Sequence, residues 1–313
     1  MTPMGPPMEL YRIDPRIDLP RLREFLTTSD PDDYLLEGIE DWIGEDRLLV
    51  GREHGSWVAF GRLHDLGNSE GWVSGLRVAA SRRGQGLGRR FLERILDEAR
   101  GQSLTALRAV IEDRNTVSRR LFDRSGFRSV AELTLRRGLA QKGGTRPLRR
   151  GTTEDRLPGP IGWVPGATGR VDVLPGSDGG RFGRWRPSLV ERFAREQKLY
   201  VGAGLAVAVQ QDWWAHPRTL WVNPLVGETT TLVRALGALA DSLHHEEWQA
   251  FLPSSDALRA EYDRCGTLLH PHWGEHVQLY ERIDPGEPPV EGLRATSTSG
   301  ARPPVARGGG PPP

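Results

Sequence analysis

The hydrophobic and polar positions between residues 8 and 137 change their spacing several times, which predicts alternating strands and helices. The clearest helical stretch is 86–100, where Leu87, Phe91, Ile95 and Ala99 recur every four positions. Gly126 follows a second helical stretch, and we expect that helix to end there. In chain order the predicted elements are a strand at 9–13, helices at 19–27 and 34–43, strands at 48–52, 57–64 and 71–78, a helix at 86–100, a strand at 106–111, a helix at 115–124 and a pair of strands within 127–136.

The rest of the chain divides into three parts by composition. Residues 138–169 are rich in Gly, Pro, Arg and Thr and predict a linker. Residues 170–284 return to the patterning of a folded unit, with a first strand expected near 170–174. Residues 285–313 have too few apolar side chains to pack, which predicts a disordered tail.

Two short motifs of the first unit recur in the second in the same order. Residues 48–51 read LLVG and residues 199–202 read LYVG, while residues 121–126 read LFDRSG and residues 261–266 read EYDRCG. The predicted order of strands and helices between these motifs is also the same. We interpret the chain as two tandem copies of one α/β unit, with a mixed sheet and flanking helices, at 8–137 and 170–284.

Composition adds limits on the class of protein. A length of 313 residues suits two domains, and 37% hydrophobic with 27% charged residues is typical of a folded globular chain. The formal net charge of +1 gives no indication of nucleic-acid binding, and no apolar run is long enough to predict a membrane span. Cys265 is the only cysteine, so no internal disulfide is expected and a reducing cytoplasm is the predicted location. We expect a monomer or a homodimer.

The strongest local signal is a Gly-rich turn between a predicted strand and the helix at 86–100. Residues 83–89 read RGQGLGR after the apolar strand that ends at Val78. Glycines permit unusual backbone angles, so successive amides can point into one concavity at the positive end of a helix. That arrangement suits a pyrophosphate, and Arg83 and Arg89 flank it.

Other interpretations of this turn are possible. The spacing does not match a Walker-type nucleotide loop, and three strands precede the turn, which disfavours a dinucleotide-binding fold. A Gly-rich turn without a ligand remains an alternative on the turn alone. The motif that follows favours a ligand site.

Two motifs together resemble the GNAT superfamily of acyl-CoA-dependent N-acetyltransferases. The first is the strand ending Leu76-Arg77-Val78 followed by Arg83-x-x-Gly86-x-Gly88. The second, about 27 residues further on, is Asn115-x-x-Ser118-x-x-Leu121-Phe122-x-x-x-Gly126-Phe127. The resemblance covers residues 9–137 and implies a GNAT fold, so that the chain is predicted to hold two tandem GNAT-like domains.

The resemblance implies roles for individual residues. Backbone groups of Leu76, Arg77 and Val78 are expected to pair with the pantetheine arm of acetyl-CoA or another acyl-CoA. The pyrophosphate is expected at the amides of Arg83, Gly84, Gln85, Gly86, Leu87, Gly88 and Arg89, and Asn115 is expected to contact the arm. The implied reaction is direct attack of an amine on the thioester, with transfer of an acetyl or other short acyl group.

The chain departs from the family pattern at the position of a proton donor. Many members have a tyrosine where this sequence has Phe122, and a phenyl ring cannot donate a proton. Ser118 lies one helical turn earlier and is a candidate to hold a water, although a small residue there also fits the motif. Glu112 and Asp113, at the end of the 106–111 strand, are the nearest candidate bases, with solvated loop charge as the alternative.

The charges of the first unit are unevenly distributed. Residues 30–46 contain eight acidic residues and no Lys or Arg, whereas residues 77–137 contain 15 arginines against seven acids. The early helices usually wall the acceptor site in this superfamily, so Asp30, Asp32 and Asp33 are candidate ligands of a cationic amine. Helix capping by Asp30 or Asp32 and a solvated acidic face are the alternatives.

The second copy lacks the cradle. Residues 220–229 read LWVNPLVGET, without the Arg-x-x-Gly-x-Gly motif, which predicts a degenerate, non-catalytic copy. The cluster at 270–276 contains three histidines but has no matching distant ligands, so no metal is predicted. The sequence therefore predicts an N-acetyltransferase acting on a small cationic amine. The alternatives are a non-catalytic acyl-CoA-binding module and a protein or peptide N-acyltransferase.

Overall fold

The fold was examined in a computed structural model of the chain. The residues that it describes are 7–37, 39, 47–142, 148–155, 157, 173–177, 181–184, 187–202, 204–210, 217–227, 229–271, 273 and 275–284. The predicted tail at 285–313 and most of the predicted linker, at 143–147, 156 and 158–169, lie outside these residues. The architecture is a mixed α/β fold, as the sequence predicts.

Six strands and three α-helices with defined bounds lie among the described residues of the first half. They are β1 (Glu9–Arg12), α1 (Pro15–Ser29), β2 (Arg47–Glu53), β3 (Ser56–Gly67), β4 (Glu70–Val78), α2 (Leu87–Gly101), β5 (Ala106–Glu112), α3 (Thr116–Arg124) and β6 (Arg128–Leu139). Two short 3-10 helices, η1 (Tyr34–Glu37) and η2 (Ala80–Arg82), lie in the connections. Of the predicted helix at 34–43, the described residues show η1 and an α-helical conformation at residue 39, while residues 38 and 40–43 lie outside the described part.

The second half contains nine strands and three helices among the described residues. They are β7 (Arg149–Arg150), β8 (Val173–Ser177), β9 (Arg181–Arg184), α4 (Pro187–Arg195), β10 (Leu199–Gly202), β11 (Leu205–Gln210), β12 (Thr219–Val226), α5 (Thr229–Ser242), β13 (Glu247–Pro253), α6 (Asp256–Arg264), β14 (Leu268–Leu269) and β15 (Val277–Ile283). The recurring motif at the end of α3 and of α6 finishes in a glycine with positive φ, 83° at Gly126 and 75° at Gly266. Both glycines therefore adopt the left-handed conformation that the sequence predicts for a helix end.

One sheet runs through both halves. Thirteen strands belong to it, in the order β1-β2-β3-β4-β5-β15-β6-β13-β12-β11-β10-β7, with β14 also paired to β6. The strands β8 and β9 form a separate hairpin. The two halves consequently share their central strands, which the sequence does not predict.

The final strands of the two halves are exchanged. The strand β15, from the end of the chain, lies between β5 and β6 and pairs with β5 from Val277↔Glu112 to Ile283↔Ala106. The strand β6 of the first half pairs in turn with β13 of the second half. The prediction of two strands within 127–136 is therefore wrong, since this segment belongs to one strand, β6. Its two neighbours in the sheet, β15 and β13, lie more than 100 residues away in the sequence, so no hairpin forms within the segment.

The parallel strands β4 and β5 separate after a short ladder. They pair only from Glu70↔Ala106 to Trp72↔Arg108, and the remainder of each strand diverges from the other. The same pattern occurs in the second half, where β12 and β13 pair only from Thr219↔Glu247 to Trp221↔Gln249. Each half therefore contains a wedge-shaped opening between two parallel strands.

Separate apolar cores cover the two faces of the first half of the sheet. The helix α2 buries the predicted stripe, with Phe91 and Ile95 both 0% exposed, against β3, β4 and β5. The helix α1 and η1 pack on the opposite face, around Trp57 and Phe60. A third core around Trp72, Phe182 and Phe251 joins the halves. Among the described residues, no helix has the length and apolar character needed to cross a membrane.

A buried ion cluster fixes the exchanged strand at the root of the first opening. Arg108 is 0% exposed, and its Nε and Nη1 atoms donate to Glu281 of β15 and Glu70 of β4, each at 2.7 Å. Loss of one partner from such a cluster leaves an uncompensated buried charge. The first half therefore needs β15 both for backbone pairing and for charge balance.

This exchange predicts that the first half does not fold by itself. A fragment of residues 1–142 loses the β15 partner of β5 and the Glu281 partner of Arg108, so we expect no cooperative transition in urea by circular dichroism. A full-length chain cut between Gly143 and Gly144 keeps the exchanged strands and is expected to elute as one particle until it is denatured. A fragment with its own cooperative transition would contradict the exchange.

Candidate cofactor and acceptor site

The Gly-rich turn forms an open cradle at the start of α2. After η2, Gly84 and Gly86 adopt positive φ values of 78° and 73°, and the helix begins at Leu87. A Cβ atom added at either glycine meets no atom within 4 Å, so the two glycines are required for their backbone angles and not for space. The first amides of α2 face this turn without a capping side chain.

A buried carboxylate holds the two ends of the cradle in place. The Glu53 side chain, 2% exposed, accepts from Arg82 Nη2 at 2.8 Å and from Arg90 Nη1 at 2.6 Å. Arg82 ends η2, and Arg90 lies in the first turn of α2, so one residue of β2 joins both sides of the turn. Arg82 also donates from Nε to Gln85 Oε1 at 2.9 Å.

The two arginines that flank the turn in the sequence are engaged elsewhere. Arg83 donates to Ser29 O at 2.9 Å and to Val78 O at 3.3 Å. Arg89 pairs with Glu93 at 2.8 Å on the exposed face of α2. An anion in the cradle would therefore meet mainly backbone amides and the positive end of the helix.

The opening between β4 and β5 is accessible, whereas its counterpart is closed. Ser74–Val78 of β4 are all partly exposed beyond the last rung with β5. At the corresponding place in β12, Asn223, Pro224 and Leu225 are buried. The helix α5 also begins at Thr229, directly after β12 ends at Val226, which leaves no room for a long turn. Within the part of the chain that the structure describes, the first opening has both an accessible strand edge and a cradle, and the second has neither.

The helix α3 begins at Thr116, directly after β5, which forms the other side of the opening. Asn115 caps this helix, because its Oδ1 atom accepts from the Ser118 amide at 3.0 Å. This cap uses one lone pair of the oxygen, so the second lone pair and the amide nitrogen could both serve a ligand. Ser118 is partly buried one turn before Phe122.

Phe122 is part of the apolar core. It is 3% exposed and packs against Phe127, with ring centroids 4.8 Å apart, and against Tyr280 of β15, at 6.2 Å. The structure thus places an inert ring at the position for which the resemblance implies a proton donor.

The two candidate bases at the end of β5 both contact arginines. Glu112 Oε2 accepts from Arg114 Nε at 2.5 Å, and Asp113 Oδ1 lies 2.9 Å from Arg119 Nη1. A hydrogen bond to the Tyr280 hydroxyl and the charge of Asp113 hold the pKa of Arg119 above its usual value. Val110 and Glu112 have the same strand parity, and Val110 packs against the core on the face opposite to α2. Glu112 therefore belongs to the side where α1 and η1 lie.

The three candidate acceptor ligands have different surroundings. Asp30 ends α1, and its Oδ1 atom accepts from the Asp32 amide at 3.2 Å. Asp32 is exposed, whereas Asp33 is 5% exposed and forms an ion pair with Arg77 at 2.5 Å. Among the other five acids within residues 30–46, Glu37 is exposed at the end of η1, and those at 40, 41, 45 and 46 lie outside the described residues.

Comparison with known proteins identifies the first half. Residues 17–127 match the model of the acetyltransferase (GNAT) family. This segment is a GNAT acetyltransferase domain. The match includes the cradle, the opening between β4 and β5 and the helix α3, so the GNAT domain contains the candidate site.

Solved structures share the fold over nearly the whole chain. An acetyltransferase structure from Thermoplasma acidophilum has a TM-score of 0.59 at 16% identity and covers 88% of this chain and 99% of its own. A GCN5-related N-acetyltransferase from Sphaerobacter thermophilus has a TM-score of 0.56 at 16% identity, covering 90% and 98%. A structure from Pyrococcus horikoshii has a TM-score of 0.55 at 11% identity, covering 88% and 89%. The sequence matches no curated protein.

Sequence reasoning missed the residues that support the GNAT site from outside its motifs. Glu53 anchors the cradle and Ser29 O accepts from Arg83, but both belong to elements distant in sequence. An acidic residue at the end of a strand followed by arginines 29 and 37 positions later carries no recognisable spacing signal. These contacts depend on the packing of β2 and α1 against the turn.

The Glu53 contacts predict a specific loss of stability. Glu53→Gln removes the buried charge that accepts from two arginines, and we expect the free energy of unfolding in urea to fall by about 2 kcal/mol. The matched control is Glu93→Gln, which removes one exposed pair on α2 and is expected to cost less than about 0.5 kcal/mol. Equal losses for the two variants would show that Glu53 does not anchor the turn.

Proposed function

We propose that the protein is an acyl-CoA-dependent N-acyltransferase that moves an acetyl or other short acyl group to an amine. The observation that carries this proposal is the combination of the GNAT domain with an accessible opening next to a glycine cradle. The opening offers an edge of β4 that does not pair with β5, and the cradle offers amides at a helix start. These are the groups that a thioester-bearing arm and a pyrophosphate need.

The residues around the opening fit acetyl-CoA, or another acyl-CoA, as co-substrate. Backbone groups of Leu76, Arg77 and Val78 lie beyond the ladder with β5, which ends at Trp72. In the absence of a strand there, the Leu76 and Val78 oxygens accept from the side chains of Arg77 and Arg83. The amides from Arg83 to Arg89 would hold the pyrophosphate, and Asn115 would contact the arm from the opposite side. The co-substrate supplies an acyl group activated as a thioester.

In the proposed reaction, the acceptor nitrogen attacks the thioester carbonyl from the side of α1 and η1. A C–N bond forms, the C–S bond breaks, and the acceptor loses a proton. Glu112 is the candidate proton acceptor on that face, with Asp113 next to it, and Ser118 is a candidate to hold a water. Because Phe122 has no acidic hydrogen, the departing sulfur would leave as a thiolate or take its proton from water.

We further propose that the second half is a degenerate copy that supports the first. Its opening is closed by buried residues, and its strand β12 runs almost directly into α5. The matching three-rung ladders and the recurring motifs support a common origin of the two halves. In this proposal residues 8–137 are the catalytic domain and residues 170–284 supply the exchanged strand β15.

A non-catalytic acyl-CoA-binding module is the alternative. Two observations favour it: the proton-donor position is a buried phenylalanine, and both candidate bases contact arginines. Thiol release from acetyl-CoA in the presence of amino acids, polyamines, aminoglycosides and peptides separates the two functions. If no acceptor raises thiol release while acetyl-CoA raises the melting temperature, the binding module is the correct function. Release with peptides alone identifies a protein N-acyltransferase.

The cradle assignment predicts the effect of a single methyl group. Gly86→Ala forces a positive φ on a residue with a side chain, which costs roughly 1 kcal/mol or more and displaces amides of the turn. Loss of one charge-assisted hydrogen bond is expected to weaken acetyl-CoA binding about tenfold in calorimetry. Gly67→Ala is the control, because Gly67 has a φ of 79° and the same open space in the β3–β4 turn, at the end of β4 opposite to the cradle. Equal affinity of the two variants would contradict the cradle.

The acidic wall predicts a preference for cationic acceptors. Asp32 is exposed, and its charge is expected to raise the local concentration of an ammonium group together with Asp30. Asp32→Asn should raise KM for a cationic acceptor about twofold at low ionic strength, with the difference shrinking as salt is added. An unchanged KM in low salt would assign Asp32 to the solvated surface.

A further inference from the structure

The residue Arg77 belongs to the proposed cofactor strand and to the acceptor side at the same time. Its backbone lies in the part of β4 that has separated from β5. Its neighbours Leu76 and Val78 pack towards α2, so strand alternation directs the Arg77 side chain to the opposite face. There it reaches the segment that connects α1 to η1.

The contact on that face is a two-point ion pair with Asp33. Arg77 Nε lies 2.5 Å from Asp33 Oδ2, and Nη2 lies 2.9 Å from Oδ1. Paired guanidinium–carboxylate contacts fix orientation as well as distance. Burial acts to lower the pKa of Arg77, but the hydrogen bond and the charge of Asp33 act in the opposite direction. Their combined effect is larger, so the pKa is above its usual value and the guanidinium stays charged.

Asp33 in turn organises the start of η1. Its Oδ1 atom accepts from the Leu35 amide at 3.1 Å, and its backbone oxygen accepts from Leu36 at 2.9 Å. The Tyr34 ring lies under the Arg77 guanidinium at 5.4 Å. The conformation of η1 therefore depends on where Arg77 holds the Asp33 carboxylate.

A second contact attaches the other end of the same segment to the cradle. Arg83, at the start of the Gly-rich turn, donates to the carbonyl oxygen of Ser29 at 2.9 Å. The segment 29–37 is thus joined at Ser29 to the cradle and at Asp33 to the cofactor strand. The residues that make these two contacts, Arg83 and Arg77, also have backbone groups that are proposed to bind the co-substrate.

From this arrangement we propose that Asp33 and Arg77 are positioning residues that couple acceptor binding to acyl-CoA binding. This inference rests on the proposed function. A co-substrate that orders the backbone at 76–78 also orders the Arg77 side chain, and through Asp33 it orders the acceptor-side segment 29–37. The coupling is reciprocal, so each ligand strengthens the binding of the other. In this assignment Asp33 acts by positioning the segment 29–37 and does not itself contact the acceptor.

The test uses the full-length chain and hydrogen exchange of the amides in 29–37. Acetyl-CoA is expected to slow exchange of the Leu35 and Leu36 amides in the unmodified protein. In Asp33→Asn, acetyl-CoA at the same concentration, above its dissociation constant, should not slow exchange of those amides. The KM for the acceptor should rise about tenfold, and kcat should change little. Glu24→Gln, an exposed acid-to-amide change on α1, is the matched control and should behave like the unmodified protein.

A second variant guards against misfolding of the first. Arg77→Lys keeps the charge but loses the two-point geometry, so it should fold and show a smaller gain in protection than the unmodified protein. Full protection in Asp33→Asn, or in Arg77→Lys if the first variant does not fold, overturns the coupling. Failure of acetyl-CoA to change the melting temperature of the unmodified protein instead overturns the proposed function. The two failures are therefore distinguishable.

Discussion

The site and the strand exchange both depend on two parallel strands, β4 and β5, that pair over only three residues. Beyond Trp72 and Arg108 the facing backbone groups of β4 and β5 have no strand between them, and such groups must be satisfied by another partner. In the first half the strand edge remains accessible, which makes it suitable for an extended ligand arm. In the second half the same separation between β12 and β13 is covered by buried side chains. The same separation of two parallel strands therefore gives an accessible opening in the first half and a closed one in the second, depending on the residues that line it.

Because β5 has no strand partner along the opening, its position depends on the strand that pairs with its other edge. A strand that has lost one neighbour needs a secure partner on its other edge, and here β15 pairs with β5 along seven residue pairs. The buried Arg108, between Glu70 and Glu281, joins the root of the opening to that partner. The second half thus has a physical role even without a cradle, because it closes the sheet of the first.

Local sequence signals predicted the parts of the fold that depend on neighbouring residues. The stripe from Leu87 to Ala99 predicted α2, and Gly126 predicted the end of α3, because both depend on contacts within a few turns. The exchange of β6 and β15 could not be predicted, since strand partners more than 100 residues apart leave no periodic trace in a single sequence. The same limit applies to the site. The glycine cradle has a local signature, whereas Glu53 and Asp33 acquire their roles only through residues brought to them by packing.

The charged residues show how this limit affects an assignment of function. Asp33 looks like a free acid in the sequence, and Arg83 looks like a phosphate ligand, yet each is committed to a contact that shapes the site. With Arg83 and Arg89 directed away from the turn, attraction of an anion depends on backbone amides and the helix end, which do not change with a side-chain rotamer. The contacts of Glu53 with Arg82 and Arg90 hold both ends of this cradle in place. Less ordering would then be required on binding, while Arg83 contacts Ser29 O at the start of the proposed acceptor-side segment 29–37.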